Sequence, residues 1–212
     1  MFTVQELITL TEDAIIKATN GESKITDEIR LIKGMSGTKC RHFLNNVYSL
    51  PGMNYLEIGA WEGSTSISAL YLNPYQNYTI IDDWSAGPSD APQTLVNNYN
   101  SILGYSPNII QRNCFAFDPL DRDINNVDVF FNDIGNTESN QYQALNHYYP
   151  AVSNNFVYII NSLEYPFNLS GTENAISDKG LLVNQYWLIS TSLDSDIANS
   201  KSEMYIAVIS KQ

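Results

Sequence analysis

Apolar positions along the chain follow two different rhythms. Phe2, Leu7, Ile8, Leu10, Ala14, Ile15 and Ile16 recur at the spacing of one helix face, which predicts an amphipathic helix over residues 2–19, ended by the polar stretch Asn20 to Lys24. A glycine-bounded loop from Gly34, carrying Ser36 and Thr38, leads into a second helix expected to stop near Pro51 and Gly52. From there short apolar runs alternate with helical spacings. Residues 54–58, 78–81, 108–111, 127–131 and 156–160 read as strands, and 64–71, 91–103 and 141–149 as helices interleaved with them. Strands this uniformly apolar are buried on both faces, so the pattern predicts a mostly parallel sheet between helices. Beyond residue 170 the rhythm changes. A helix at 171–177 and two β-rich runs at 181–189 and 204–210, joined by polar residues around Asp194 and Asp196, predict a closing hairpin with an antiparallel strand. No repeat or linker interrupts the series. One domain over 1–212 is expected, with N-terminal helices and a covering loop in 1–52 and the core from 53 onward.

The strands share a second feature: polar residues follow each of them. Gly59 follows Glu57-Ile58, Asp82, Asp83 and Trp84 close the next strand, Asn113, Cys114 and Phe115 follow the third, Asp133 the fourth, and Asn161 and Ser162 the fifth. Open α/β sheets bind ligands at such strand ends, near the switch in strand order. The stretch Tyr55 to Thr65 is the most specific of these. A strand stops and a helix starts across Gly59 and Gly63, so backbone amides, the helix dipole and the Glu57 carboxylate converge on one spot. Glu57 would repel phosphate, whereas a cationic, hydroxyl-bearing nucleoside fits. A dinucleotide turn needs a second glycine where this chain has Trp61, which argues against NAD. Asp82, at the end of the next strand, has the oxygens to accept both hydroxyls of a ribose, with Asp83 adjacent and Trp84 available to pack on a ring.

These residues resemble the first motif of class I S-adenosylmethionine-dependent methyltransferases, and in particular the branch that keeps Glu-Ile-Gly followed by Gly-Ser-Thr, which includes catechol-type and sugar O-methyltransferases. The likeness runs from about Gly34 to Ile160. It implies an α/β fold, a Rossmann-like class I methyltransferase sandwich with a mostly parallel seven-stranded sheet and an antiparallel C-terminal strand. It also implies that Glu57 and the Gly59 backbone hold the methionine end of the cofactor, with Trp61, Gly63 and Ser64 or Thr65 around it and Met35 and Ser36 closing over its carboxylate. Asn113, Cys114 and Phe115 would frame the adenine. In that branch the fourth and fifth strand ends supply a divalent cation, Mg²⁺ or another, with oxygen ligands and the reaction with a base. Here Asp133 is retained, while Asn136 and Asn161 stand at the positions of the base and of the second ligand. The implied metal set is therefore Asp133 with the Asn161 carbonyl. Asparagine takes no proton at neutral pH, which leaves Asp133, and His42 if its loop folds inward, as candidate bases.

Composition narrows the partners. The chain has 212 residues, with 23 acidic against 11 basic ones and a formal charge of −12. Without a cluster of Lys or Arg, nucleic acid is not expected as a partner, because phosphate neutralisation supplies most of that affinity. No stretch approaches a membrane span and no basic-then-apolar leader is apparent, so a soluble, cytoplasmic protein without a membrane partner is expected. Cys40 and Cys114 match no metal or redox spacing and are read as free thiols. The expected activity is methyl transfer from S-adenosylmethionine to a hydroxyl of a small molecule or glycan. A sugar is favoured, because amides, hydroxyls and aromatics such as Tyr165 surround the presumed acceptor region. The alternative is a protein that binds the cofactor or S-adenosylhomocysteine without catalysis, as a partner or regulatory subunit.

Overall fold

The computed structural model of the chain describes residues 1–74, 77–105, 107–135, 137–163, 169–190 and 203–212. The expected residues Asn136, Tyr165, Asp194 and Asp196 lie outside them. The elements run α1 (Val4–Thr19), α2 (Asp27–Arg30), α3 (Thr38–Val47), β1 (Asn54–Ile58), α4 (Ser64–Leu70), β2 (Asn77–Asp82), α5 (Ala91–Ile102) and β3 (Asn108–Gln111). They continue with β4 (Val127–Asn132), α6 (Glu138–Tyr148), β5 (Val152–Leu163), α7 (Ser170–Asp178), β6 (Leu181–Ser190) and β7 (Glu203–Lys211).

The seven strands form one sheet in the order β3-β2-β1-β4-β5-β7-β6. β1 to β5 are parallel, and β7 runs antiparallel between β5 and β6. The period-two alternation of strand side chains divides the core into two layers. Tyr55, Ile80, Val129, Phe131, Val157 and Ile206 face α1, α3, α4 and α5; Leu56, Ile58, Ile81, Phe130, Tyr158 and Ala207 face α6 and α7. Glu57 shares the parity of Tyr55 and so points into the first layer. Because β2 lies on one side of β1 and β4 on the other, the strand order switches at β1, and a crevice opens beyond the C-terminal ends of β1 and β4.

Local signals account for most element ends. α1 begins at a capping box in which Thr3 Oγ1 accepts the Glu6 amide at 3.2 Å and the Glu6 carboxylate accepts the Thr3 amide at 2.8 Å. α6 starts at Glu138 rather than 141, because Thr137 accepts the Asn140 amide and caps a turn that has no apolar periodicity. β5 begins at Val152, four residues earlier than its apolar run suggests, since Val152 pairs with Val127 of β4. α3 ends at Val47, short of Pro51. The four-residue α2 carries too few positions for a periodic signal. No helix among the described residues is long and apolar enough to cross a membrane.

Candidate functional site

A cavity of about 900 Å³ lies in the crevice at the strand ends. Of the residues singled out in the sequence, Met35, Ser36, Gly59, Trp61, Ser64, Thr65, Asp82, Asp83 and Trp84 line it on the β1 and β2 side. Asn113, Cys114 and Phe115 line it after β3, and Asp133 after β4. A second groove of about 680 Å³ between α6 and α7, bordered by Glu138, Tyr142 and Asp178, holds none of them.

The floor is the turn after β1. Gly59 has φ +90°, and a Cβ there would lie 2.6 Å from the backbone oxygen of Asp133, so only glycine lets the β1 and β4 ends approach this closely. The Gly59 amide donates to Ile81 O and the Asp133 amide to Ile58 O, both at 2.9 Å, which ties three neighbouring strand ends together. Gly63 also has a left-handed backbone, as N-cap of α4, but does not line the cavity.

One wall is built on Asp82. Its Oδ2 accepts the Trp61 amide at 2.9 Å and its Oδ1 the Trp84 amide at 2.8 Å. A carboxylate has about four acceptor positions, so two remain for a ligand. Gly87, whose Cβ position would be 3.0 Å from the Trp61 indole nitrogen, lets the loop after β2 pack on that ring. The opposite wall holds Cys114, whose thiol is pushed up to about 12 by burial and by the nearby Asp82 and Asp83, and is therefore neutral. Three carboxylates, Asp82, Asp83 and Asp133, line the cavity, and among the described lining residues there is no Lys, Arg or His. An electrically negative chamber of this kind suits a neutral or cationic ligand.

Several expectations are corrected. Glu57 does not reach the cavity. It is fully buried beneath the turn, accepting Thr65 Oγ1 at 2.5 Å, Tyr78 OH at 3.0 Å and Tyr55 OH at 3.4 Å. Burial pushes its carboxyl up to about 8; the charge of Asp133 adds to the rise, and the three hydroxyl donors oppose it. His42 is likewise buried away from the lining, its Nδ1 2.8 Å from Ser23 Oγ, because α3 turns that face toward the segment after α1. Asn161 lies behind the cavity and donates its Nδ2 to Asp133 Oδ1 at 3.1 Å. Its carbonyl oxygen is buried without a hydrogen-bond partner among the described residues. An amide that donates to Asp133 does not form a joint oxygen ligand set with it, and no group of three or more His, Cys, Asp or Glu suited to a metal occurs among the described residues. Among the described residues, the side chains at these strand ends do not fit a divalent cation.

The structure also adds residues. Ser85 to Pro88, Ile134, Asn140 and Gln143 complete the lining. The spacing of Asn140 and Gln143, one helical turn apart, is a signal that could have placed both on one face. Arg41, which holds the loop before α3, carries no motif that would mark it.

No family model matches the sequence, and no curated protein matches it. Solved structures do resemble its fold. SMU.776, designated a methyltransferase and complexed with S-adenosylhomocysteine (SAH), superposes with a TM-score of 0.61 at 10% identity, over 83% of this chain and 50% of its own. The chain thus spans about half the length of that protein. A precorrin-6y C5,15-methyltransferase from Geobacter metallireducens gives 0.61 at 17% identity, over 88% of this chain and 94% of its own. A protein designated an O-methyltransferase from Nostoc punctiforme gives 0.61 at 12% identity, over 97% and 72%. The chain has the Rossmann-like α/β fold of class I methyltransferases.

Proposed function

We propose that the chain binds S-adenosylmethionine in the cavity at the ends of β1 to β4 and transfers its methyl group to a hydroxyl of a small molecule or glycan, with a sugar as the favoured acceptor. The observation that carries this reading is convergence. The glycine turn after β1, the acid that ends β2 and the Met35–Ser36 loop come from three separate parts of the chain and meet around one negative chamber. These residues fit the cofactor: Gly59 lines the cavity with backbone alone, and Asp82 keeps acceptor positions for ribose hydroxyls. Trp61, left-handed where a dinucleotide turn needs glycine, speaks against NAD.

When bound, the sulfonium supplies an activated methyl group, so positioning provides much of the acceleration. Asp133 is the base candidate that faces the cavity. Its backbone amide donates to Ile58 O and one carboxylate oxygen accepts from Asn161 Nδ2, and these two hydrogen bonds hold it at the cavity wall where an acceptor hydroxyl would be deprotonated. Asn140 and Gln143 of α6 offer donors and acceptors to a neutral polyhydroxyl acceptor beside it. No step is assigned to a metal ion.

A second reading, binding without turnover, is favoured by Asn161 at a strand end where the resembled branch has a metal ligand. Calorimetry with S-adenosylmethionine, SAH and NAD tests the first step. Absence of heat with both adenosyl ligands overturns both readings. Transfer of a labelled methyl group to hydroxyl acceptors, with and without EDTA, then separates enzyme from binder.

A further inference from the structure

The groove between α6 and α7 adjoins the cavity along a single helix. Thr137, Ser139 and Tyr142 line the groove, while Asn140 and Gln143, interleaved with them in sequence, line the cavity. One ridge divides the two hollows, and hydrogen bonds join its sides. Gln143 Nε2 donates to Ser139 Oγ at 3.0 Å, and the Asn140 amide donates to Thr137 Oγ1 at 3.1 Å. A polar surface therefore runs from the cavity over the first turns of α6 into the groove.

The walls of the groove are tied to each other. Gly171, buried at the start of α7, lies against the backbone of Glu138 and Tyr142, where a Cβ would overlap the Glu138 carbonyl. At the other end Tyr142 OH donates to Asp178 Oδ2 at 2.9 Å, which fixes the ring against α7. Between these ties a trough of about 680 Å³ stays open.

The bonds already made define what the trough offers. Ser139 Oγ accepts from Gln143, so its own proton is left to donate. Asp178 takes one proton from Tyr142 and keeps further acceptor positions. Asn174 and Ser177 add groups that both give and receive. Among the described lining residues there is no Lys, Arg or His, so Glu138 and Asp178 repel an anionic chain. An apolar chain would leave the polar groups unpaired, which is costly. A neutral polyhydroxyl chain meets both demands, with its C–H faces on the Tyr142 ring and its hydroxyls on the rim.

We propose that the α6–α7 groove is a second acceptor subsite, holding the continuation of a neutral oligosaccharide whose reacting ring lies in the cavity beside Asp133. The inference rests on the sugar-acceptor reading above and deepens it, since the acceptor becomes a chain instead of a single sugar. A helix with its side chains is about 10–12 Å across, so one ring does not fill both hollows, and the chain crosses the ridge of Gln143 and Ser139.

The test measures binding of the full chain to arrayed neutral oligosaccharides of increasing length, from a single ring upward, with and without SAH. Chains of several rings should bind about tenfold or more tighter than their own terminal ring. Ser177 is exposed on α7 and takes no part in the ridge; Ser177→Trp should fill the trough, remove that gain and leave single-ring and SAH affinities within about twofold. Tyr142→Ala should act in the same way, whereas Tyr142→Phe, which keeps the ring, should retain most of the gain. The proposal falls if single rings bind as tightly as chains, if no neutral glycan binds, or if Ser177→Trp leaves the gain intact. Capture of an oligolysine peptide in place of the glycans, lost at high salt, would assign the groove to a cationic partner and overturn it as well. Binding of SAH without any effect of chain length overturns this inference alone. An effect of chain length without SAH binding overturns the cofactor reading and leaves the glycan groove standing.

Discussion

Trp84 donates its indole N–H to the backbone carbonyl of Trp61 at 2.7 Å, and both tryptophans hold left-handed backbone, at φ 52° and 45°. For a bulky residue that conformation costs about 1–2 kcal/mol. Asp82 offsets the cost by accepting both backbone amides, so the residue expected to meet a ribose is also the clamp that joins two loops of the cavity.

Asp82→Ala should therefore weaken SAH binding by about 1–3 kcal/mol and lower the unfolding midpoint as well. Trp84→Phe removes only the indole bond and should cost about 1 kcal/mol of stability. Calorimetry and urea unfolding of both variants separate the roles. Unchanged SAH affinity in Asp82→Ala would remove Asp82 from the ligand site.

Gly59→Ala combines a left-handed backbone with a Cβ 2.6 Å from Asp133 O, where backbone on both sides has little room to yield. A loss of more than about 2 kcal/mol is expected. Gly104→Ala is the control, with φ +73° and nothing within 4 Å of the added carbon, and should cost only about 1 kcal/mol. Equal losses in urea unfolding would mean that the approach of β1 to β4 is not tight.

Glu57 gives stability a pH dependence. Burial raises its carboxyl from the ordinary 4.5 to about 8, so the folded chain holds a proton that the unfolded chain has released. Its contribution is fully present below the ordinary value and is lost as pH rises through about 8. Relative to wild type, Glu57→Gln should gain stability between about pH 5 and 8, by up to about 1.4 kcal/mol per unit. A constant difference across that range would show that Glu57 ionises normally in the fold.

Asp133→Ala should abolish methyl transfer far more than it weakens SAH binding, and EDTA should leave the wild-type rate unchanged. A wild-type rate in the variant would place the base elsewhere, and loss of activity in EDTA would show that a cation is held by donors beyond Asp133 and Asn161.

Much of the site was legible because the chemistry of a parallel sheet is gathered at strand ends, and strand ends are visible as apolar runs that stop. Gly59, Asp82, Asn113 and Asp133 are far apart in the chain and were placed together from their positions at strand ends and from the resemblance to the methyltransferase motifs; all four line one cavity. Glu57 was misplaced for a related reason. Its position at the end of β1 suggested a ligand contact, although its shared parity with Tyr55 already turned it into the layer under α4. His42 was misplaced because α3 is buried on nearly every side, so its burial does not show which neighbour it faces, and its ring meets Ser23 rather than the cavity.

The sequence by itself determined the succession of strands and helices, the glycine turn and the acid content of the cavity, since each depends on local periodicity or on residue type. Only the tertiary structure decided the order β3-β2-β1-β4-β5-β7-β6, the burial of Glu57, the amide of Asn161 facing Asp133, and Arg41 behind Ser36. These depend on which groups from distant segments become neighbours once water is excluded. A hydroxyl or amide changes from donor to acceptor according to the partner it finds there.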